Sequence, residues 1–110
     1  MSARRLGVLL DHLYRLVACP SHAGADAALL DHFVRRQDEY AFAALMGRYG
    51  PLVWGACRRV VAHEQDAEDV FQATFLLLAR NAATIRNRAS VGSWLFGVAR
   101  RLALRARADA

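Results

Sequence analysis

The sequence predicts an all-α fold, a compact helical bundle, and three observations favour it. The 110 residues include only two prolines and seven glycines, whereas Ala, Leu and Arg are abundant. Apolar residues recur every three or four positions along most of the chain, the spacing of one face of a helix, and no stretch alternates with the period of two that marks a strand. With 55% hydrophobic and 23% charged residues, the composition is that of one packed domain.

Two parts precede the main body of the predicted domain, which we place at residues 26–108. Residues 5–18 carry leucines and valines at helical spacing and predict an extra N-terminal amphipathic helix. The following "CPSHAGAD", residues 19–26, has no apolar period and is predicted to be a linker.

Three helices are expected over the next forty residues. Asp26 has the residue type of an N-cap and starts a helix that runs to about Arg36. Asp38 is predicted to cap the second helix. Gly50-Pro51 is expected to break the chain, because proline suits the first position of a new helix. The third helix then runs to about His63.

The segment "DAEDVFQATFLLLAR", residues 66–80, predicts the next helix. Asp66 and Asp69 have the spacing of a capping box, with aspartate in place of the usual glutamate. One side of this helix is the expected core face: Val70, Phe71, Thr74, Leu77 and Leu78. Residues 81–93 lose the apolar period and predict a loop with a ragged helical start.

A last helix is expected on "WLFGVARRLALRARA", with Ser90 or Ser93 as its cap. Its predicted inner face consists of Leu95, Val98, Ala99, Leu102 and Ala106.

The predicted helix 66–80 carries a second stripe on the side opposite its core face. At 100° per residue, Asp69, Gln72, Leu76 and Arg80 fall within about 80° of one another. A solvated face with one stray leucine is an ordinary arrangement. The alternative is a surface at which Leu76 meets another protein.

Charge is distributed unevenly along the chain. The net charge is +5 and all fifteen basic residues are arginine, a preference that a GC-rich genome would explain. Such a genome does not explain the seven arginines and the absence of acids between residues 80 and 108. Guanidinium groups bind phosphate, and together with Trp94 they provide the cations and stacking planes that single-stranded nucleic acid requires. Trp94 is equally compatible with a core position.

Other chemistries find little support in the sequence. Cys19 and Cys57 lack the spacing of a disulfide scaffold or a zinc site, and the histidines are scattered. The acids near residue 66 are explained by the dipole of the helix they begin. There is no glycine-rich phosphate loop, so we predict neither a cofactor nor an enzyme. No apolar run has the length of a membrane span, and a cytoplasmic location without membrane association is expected.

Three segments together resemble region 2 of the extracytoplasmic-function sigma factors, small members of the bacterial sigma-70 family. They are "EYAFAALMGRYGPLVWGACRRVV", "DAEDVFQATFLLLAR" and "SWLFGVARRLAL". The resemblance runs from about residue 26 to residue 107, and "FQATFLLLAR" with "SVGSWL" is similar to the planctomycete-type branch. It implies a factor that binds RNA polymerase core and recognises and melts the promoter −10 element.

The resemblance implies one role for each surface. The stripe Asp69, Gln72, Leu76 and Arg80 would dock on the clamp helices of the polymerase β′ subunit. The non-template strand of the −10 element would contact the loop and last helix: Ile85, Arg86, Asn87, Arg88, Trp94, Arg100, Arg101 and Arg105. An anti-sigma factor is a further partner that the family allows.

The sequence departs from the family pattern in three places. Arg101 stands where many members have asparagine, so the captured base stays open, and Ala73 stands where an acid is frequent. The family normally adds a second domain, region 4, and we expect it to be absent from these 110 residues. Two other interpretations therefore remain: a truncated remnant that occupies polymerase or an anti-sigma factor without initiating, and a basic helical adaptor that binds RNA or lipid nonspecifically.

Overall fold

The computed structural model describes residues 20–109, and these form helices without any strand. The four α-helices are α1 (Pro20–Arg36), α2 (Glu39–Val60), α3 (Glu64–Asn81) and α4 (Val91–Asp109). Two short 3₁₀ helices, Ala82–Thr84 and Arg88–Ser90, join α3 to α4. The predicted all-α bundle is confirmed. The predicted N-terminal helix at 5–18 lies outside the described residues.

The predicted linker is wrong from Pro20 onwards, because α1 already begins there. Proline fits the first position of a helix, where its missing N–H would have no partner within the helix. Asp26 is therefore not a cap. It lies inside α1 with only 1% of its surface exposed, and its carboxylate accepts hydrogen bonds from the Arg48 guanidinium and the Tyr49 hydroxyl on α2.

Two adjacent residues separate α1 from α2. Gln37 takes a left-handed conformation with φ 51°, which ends α1, and its backbone N–H donates to the carbonyl of Phe33 at 2.8 Å. Asp38 then accepts hydrogen bonds from the backbone N–H groups of Tyr40 and Ala41, at 3.0 and 3.4 Å. The predicted N-cap at Asp38 is confirmed.

The predicted break at Gly50-Pro51 is wrong, because α2 continues through Pro51. An interior proline removes the hydrogen bond to the carbonyl four residues earlier and costs about 3 kcal/mol. The helix nevertheless stays continuous because one buried face extends along both sides of the proline. That face consists of Leu45, Tyr49, Val53, Ala56 and Cys57.

The capping box predicted at Asp66 is also wrong. Helix α3 begins two residues earlier, at Glu64, with His63 as its N-cap residue and without a side-chain capping bond. Glu64 and Asp66 thus lie in the first turn, where negative charge stabilises the helix dipole by about 0.3–1 kcal/mol. Helix α4 begins at Val91, directly after Ser90, so Ser93 lies inside the helix and is not its cap.

The core lies where α2, α3 and α4 pack against one another and against α1. The predicted core face of α3 is confirmed for Val70, Thr74 and Leu78, whereas Phe71 and Leu77 are half-buried. The buried Phe75 was missed. On α4, the predicted inner residues are all buried or half-buried: Leu95, Val98, Ala99, Leu102 and Ala106.

A row of aromatic rings fixes the directions of the first three helices. Phe33 of α1 contacts Phe42 of α2 with ring centroids 4.9 Å apart, and Phe42 lies 6.4 Å from Phe75 of α3. At the other end of the row, Trp54 of α2 lies 6.0 Å from Phe71. From the first of these contacts between α2 and α3 to the second, the residue number rises in α2 and falls in α3. The two helices are therefore antiparallel.

Candidate functional site

The second stripe of α3 lies on the protein surface. Asp69, Gln72, Leu76 and Arg80 are all exposed, and Leu76 has 65% of its surface accessible. They share this face because Val70, Thr74 and Leu78 direct the opposite face of α3 into the core. The helical wheel thus placed this stripe correctly.

An apolar groove of about 280 Å³ lies beside the stripe, between α2 and α3. Gln72 and Leu76 belong to both the stripe and the groove. The other lining residues are Phe42, Met46, Phe71, Phe75 and Ala79. An exposed leucine at the edge of an apolar groove, with polar residues on both sides, has the chemistry of a protein-binding surface.

The groove was not predicted from the sequence, since it needs two helices that are distant in the chain. One signal did exist. Helix α3 carries a large apolar residue outside its core face, because Leu76 lies about 100° from the buried Phe75 on the helical wheel. Such a residue indicates a second apolar contact.

The loop between α3 and α4 has one buried end and an exposed centre. Ile85 is 9% exposed and belongs to the core, so its side chain supports the loop from below. Arg86 and Asn87 are exposed. Arg88 forms an ion pair with Asp31 of α1. Of these four loop residues, Ile85 is thus a core residue, Arg86 and Asn87 are exposed, and Arg88 is a paired cation.

The last helix presents arginines beside a half-buried tryptophan. Trp94 packs against the core and keeps part of its surface accessible. Arg101 and Arg105 are exposed, and Arg100 is half-buried. The Arg101 guanidinium lies back over Gly97, where an added Cβ would be 3.7 Å from Nη1. This direction brings its charge one turn closer to the loop.

Few of the arginines on the surface formed by the loop and α4 are paired with an acid. Among residues 20–109, Arg86, Arg101 and Arg105 have no ion-pair partner, and Asp31 is the acid that pairs with Arg88. Unpaired guanidinium groups can bind phosphate oxygens without first breaking an internal ion pair. The surface formed by the loop and α4 therefore suits a polyanion.

The metal-binding and thiol chemistry of the described part of the chain is limited. Residues 20–109 contain no group of three His, Cys, Asp or Glu side chains that could hold a metal ion. Complete burial raises the pKa of the Cys57 thiol to about 11, so the thiol stays protonated and unreactive at neutral pH. Within the same residues, no helix combines the length and the apolar character needed to cross a membrane.

A comparison with protein families finds a match for the part of the chain that carries the stripe of α3 and the arginines of the loop and α4. The family model of sigma-70 region 2 matches residues 45–110, which include most of α2 and all of α3, the loop and α4. The chain belongs to the sigma-70 region 2 family. The match begins later than the resemblance suggested, at residue 45 instead of about residue 26. No curated protein and no solved structure matches the chain.

Membership in the sigma-70 family defines the general role of the chain. Region 2 is a domain of sigma factors, which act in transcription initiation by binding RNA polymerase core and promoter DNA. It is a transcription-factor domain and does not belong to a catalytic family. The stripe of α3 and the arginine surface of the loop and α4 both lie within the matched residues.

Proposed function

We propose that this sigma-70 region 2 docks on the clamp helices of the polymerase β′ subunit through the stripe Asp69, Gln72, Leu76 and Arg80. The observation that carries the proposal is the 65% exposure of Leu76 at the edge of the apolar groove. Burial of such a leucine on a partner contributes about 1–2 kcal/mol, and the polar residues around it give the contact its orientation.

Substitution of both Asp69 and Gln72 by alanine is expected to weaken binding to core polymerase by at least about ten-fold, as is usual when polar anchors of an interface are truncated. Both side chains are exposed, so helicity and melting temperature should stay nearly unchanged. Binding of the purified chain to bacterial core polymerase, followed by fluorescence anisotropy, measures the first effect. Circular dichroism measures the second.

Glu64→Ala provides the matched control for this double variant. Glu64 is an exposed acid on the same helix, and it points about 140° away from Asp69 and about 80° away from Gln72. Its removal should leave polymerase affinity within about two-fold of the original value, because a general loss of charge contributes little at physiological salt. Equal weakening by Glu64→Ala, or unfolding of the double variant, would contradict the docking site.

The second surface is proposed to capture the non-template strand of the −10 element. Its residues are Arg86, Asn87, Arg88, Trp94, Arg100, Arg101 and Arg105, with Ile85 supporting the loop. A protein that binds only unpaired bases shifts the duplex towards its open form by mass action, so capture of a base would promote melting. In support, the exposed Arg101 and Arg105 lie within about 40° of the half-buried Trp94 on the helical wheel of α4.

Arg101→Ala and Arg107→Ala should have different effects on DNA binding. Arg101 lies back towards the loop, and we expect its loss to reduce the preference for one base at one −10 position. Arg107 is exposed in the last turn of α4, and its loss should weaken all sequences alike. Affinities for single-stranded oligonucleotides that differ at one base distinguish these results. A uniform loss from both variants would place Arg101 on the phosphate backbone.

The finer classification follows the sequence resemblance. We place the chain among the extracytoplasmic-function sigma factors, in the planctomycete-type branch, with the cytoplasm as its compartment and an anti-sigma factor as a further partner. "FQATFLLLAR" and "SVGSWL" support this placement.

A further inference from the structure

Helix α1 contacts the DNA-facing loop through an ion pair between Asp31 and Arg88. The pair joins residues 57 positions apart in the chain and is partly shielded, with 25% of the Arg88 side chain and 44% of the Asp31 side chain exposed. The backbone of α1 also packs against the 3₁₀ helix that contains Arg88. The contact therefore connects two elements that already lie against each other.

The loop is fixed at both of its ends. Ile85 anchors the first end in the core, and the Ile85 N–H donates to the carbonyl of Ala82 at 3.3 Å. Arg88 anchors the second end through Asp31. Arg86 and Asn87 lie between these anchors and are exposed. A loop that is held at both ends loses less conformational entropy when its exposed centre binds a ligand.

We infer that Asp31 is a positioning residue for single-strand recognition, acting through Arg88. Asp31 accepts one hydrogen bond from Nη1 of Arg88, and a guanidinium group has five N–H donors. The ion pair holds the guanidinium near Asp31, and the remaining donors can contact a base or a phosphate. The inference rests on the proposed function of the loop and adds a residue of α1 to it.

Asp31 lies outside the residues that match the family model, which begin at residue 45. Its role follows from the contact between α1 and the loop. Asp66 on α3 offers a matched control, because it is exposed and has no ion-pair partner within residues 20–109.

The test measures binding of the full chain to single-stranded DNA oligonucleotides that carry a −10-like sequence and differ at one position. The variants are Asp31→Asn, Arg88→Gln, their combination, and the exchange of Asp31→Arg with Arg88→Asp. Asp66→Asn serves as the control for the loss of one negative charge. For Asp31→Asn we expect the preference for the best base to fall about three-fold, the scale of a partly exposed ion pair.

Several results would support the role of Asp31 together. Asp31→Asn should have no effect on base preference once Arg88 is already glutamine, because Asp31 acts through Arg88. The exchange variant restores an ion pair but places a carboxylate without donors at position 88, so it should not recover the preference, whereas a pair that only holds the loop would be restored by it. Asp66→Asn should raise affinity for all oligonucleotides slightly and leave the preference unchanged.

Two different results would overturn the inference, and they are distinguishable. If the unmodified chain prefers one base and Asp31→Asn keeps that preference, Asp31 plays no part in positioning and the proposed function stands. If the unmodified chain shows no preference for any base, the proposed recognition of the −10 strand fails, and the role of Asp31 fails with it. Thermal melting of each variant confirms that it is folded at the temperature of the assay.

Discussion

Replacement of Asp26 by alanine is expected to lower the free energy of unfolding by about 2–3 kcal/mol, the cost of removing a buried carboxylate from a charged, partly buried partner. Asp26 is 1% exposed, and it accepts hydrogen bonds from both Arg48 and Tyr49. Its removal takes away the carboxylate that accepts from the Arg48 guanidinium and the Tyr49 hydroxyl. Arg48 keeps 33% of its side chain exposed, so water offsets part of the loss.

Chemical denaturation with urea measures this effect, and Asp31→Ala provides the matched control. Both aspartates lie on α1 and both pair with an arginine of another element. They differ in burial, because Asp31 has 44% of its side chain exposed. An ion pair at that exposure contributes about 0.2–1 kcal/mol. Similar small effects from both variants would show that burial does not strengthen the Asp26 contact.

A further substitution separates charge from hydrogen bonding at this site. Asp26→Asn keeps the volume and one acceptor oxygen for the Tyr49 hydroxyl, but it loses the charge that balances Arg48. We expect its cost to lie between those of Asp31→Ala and Asp26→Ala. A cost equal to that of Asp26→Ala would show that the charge alone determines the stability of the contact.

Two of the errors in the predicted helix boundaries share one physical origin. The residue types of Asp26 and Pro51 are both typical of helix starts. Tertiary contacts override this local preference at both positions. Asp26 is buried inside α1 because Arg48 and Tyr49 provide donors, and α2 tolerates Pro51 because its apolar face continues beyond it. Asp38, whose carboxylate has only local partners, was predicted correctly.

In the candidate sites too, features that depend on local sequence were predicted, whereas features that depend on contacts between distant segments were not. The stripe of α3 depends on one helical wheel, so the sequence was sufficient to place Leu76 and its neighbours on the surface. The apolar groove needs Phe42 of α2 against Phe75 of α3, a contact between residues far apart in the chain. The pairing of Arg88 with Asp31 joins elements even more distant, and charge patterns alone do not identify such a partner.

Two leucines of α3, two positions apart, should respond to substitution in opposite ways. Leu78 is fully buried in the core, whereas Leu76 is 65% exposed beside the groove. Leu78→Ala removes buried methyl groups and leaves a cavity, so we expect it to lower the free energy of unfolding by about 3 kcal/mol. Leu76→Ala should change stability by less than about 0.5 kcal/mol, as substitutions at exposed positions usually do.

For affinity to core polymerase, Leu76→Ala should have the larger effect and Leu78→Ala the smaller one. Leu76→Ala is expected to weaken binding to core polymerase about ten-fold, equivalent to about 1.4 kcal/mol, because an apolar anchor at the centre of a polar rim is lost. Leu78→Ala should bind normally at a temperature well below its own melting point, since the binding surface is intact in the folded fraction. Measuring both properties for both variants separates docking from folding. If Leu76→Ala keeps full affinity, the polymerase contact does not include the groove, and Asp69 and Gln72 must act without an apolar centre.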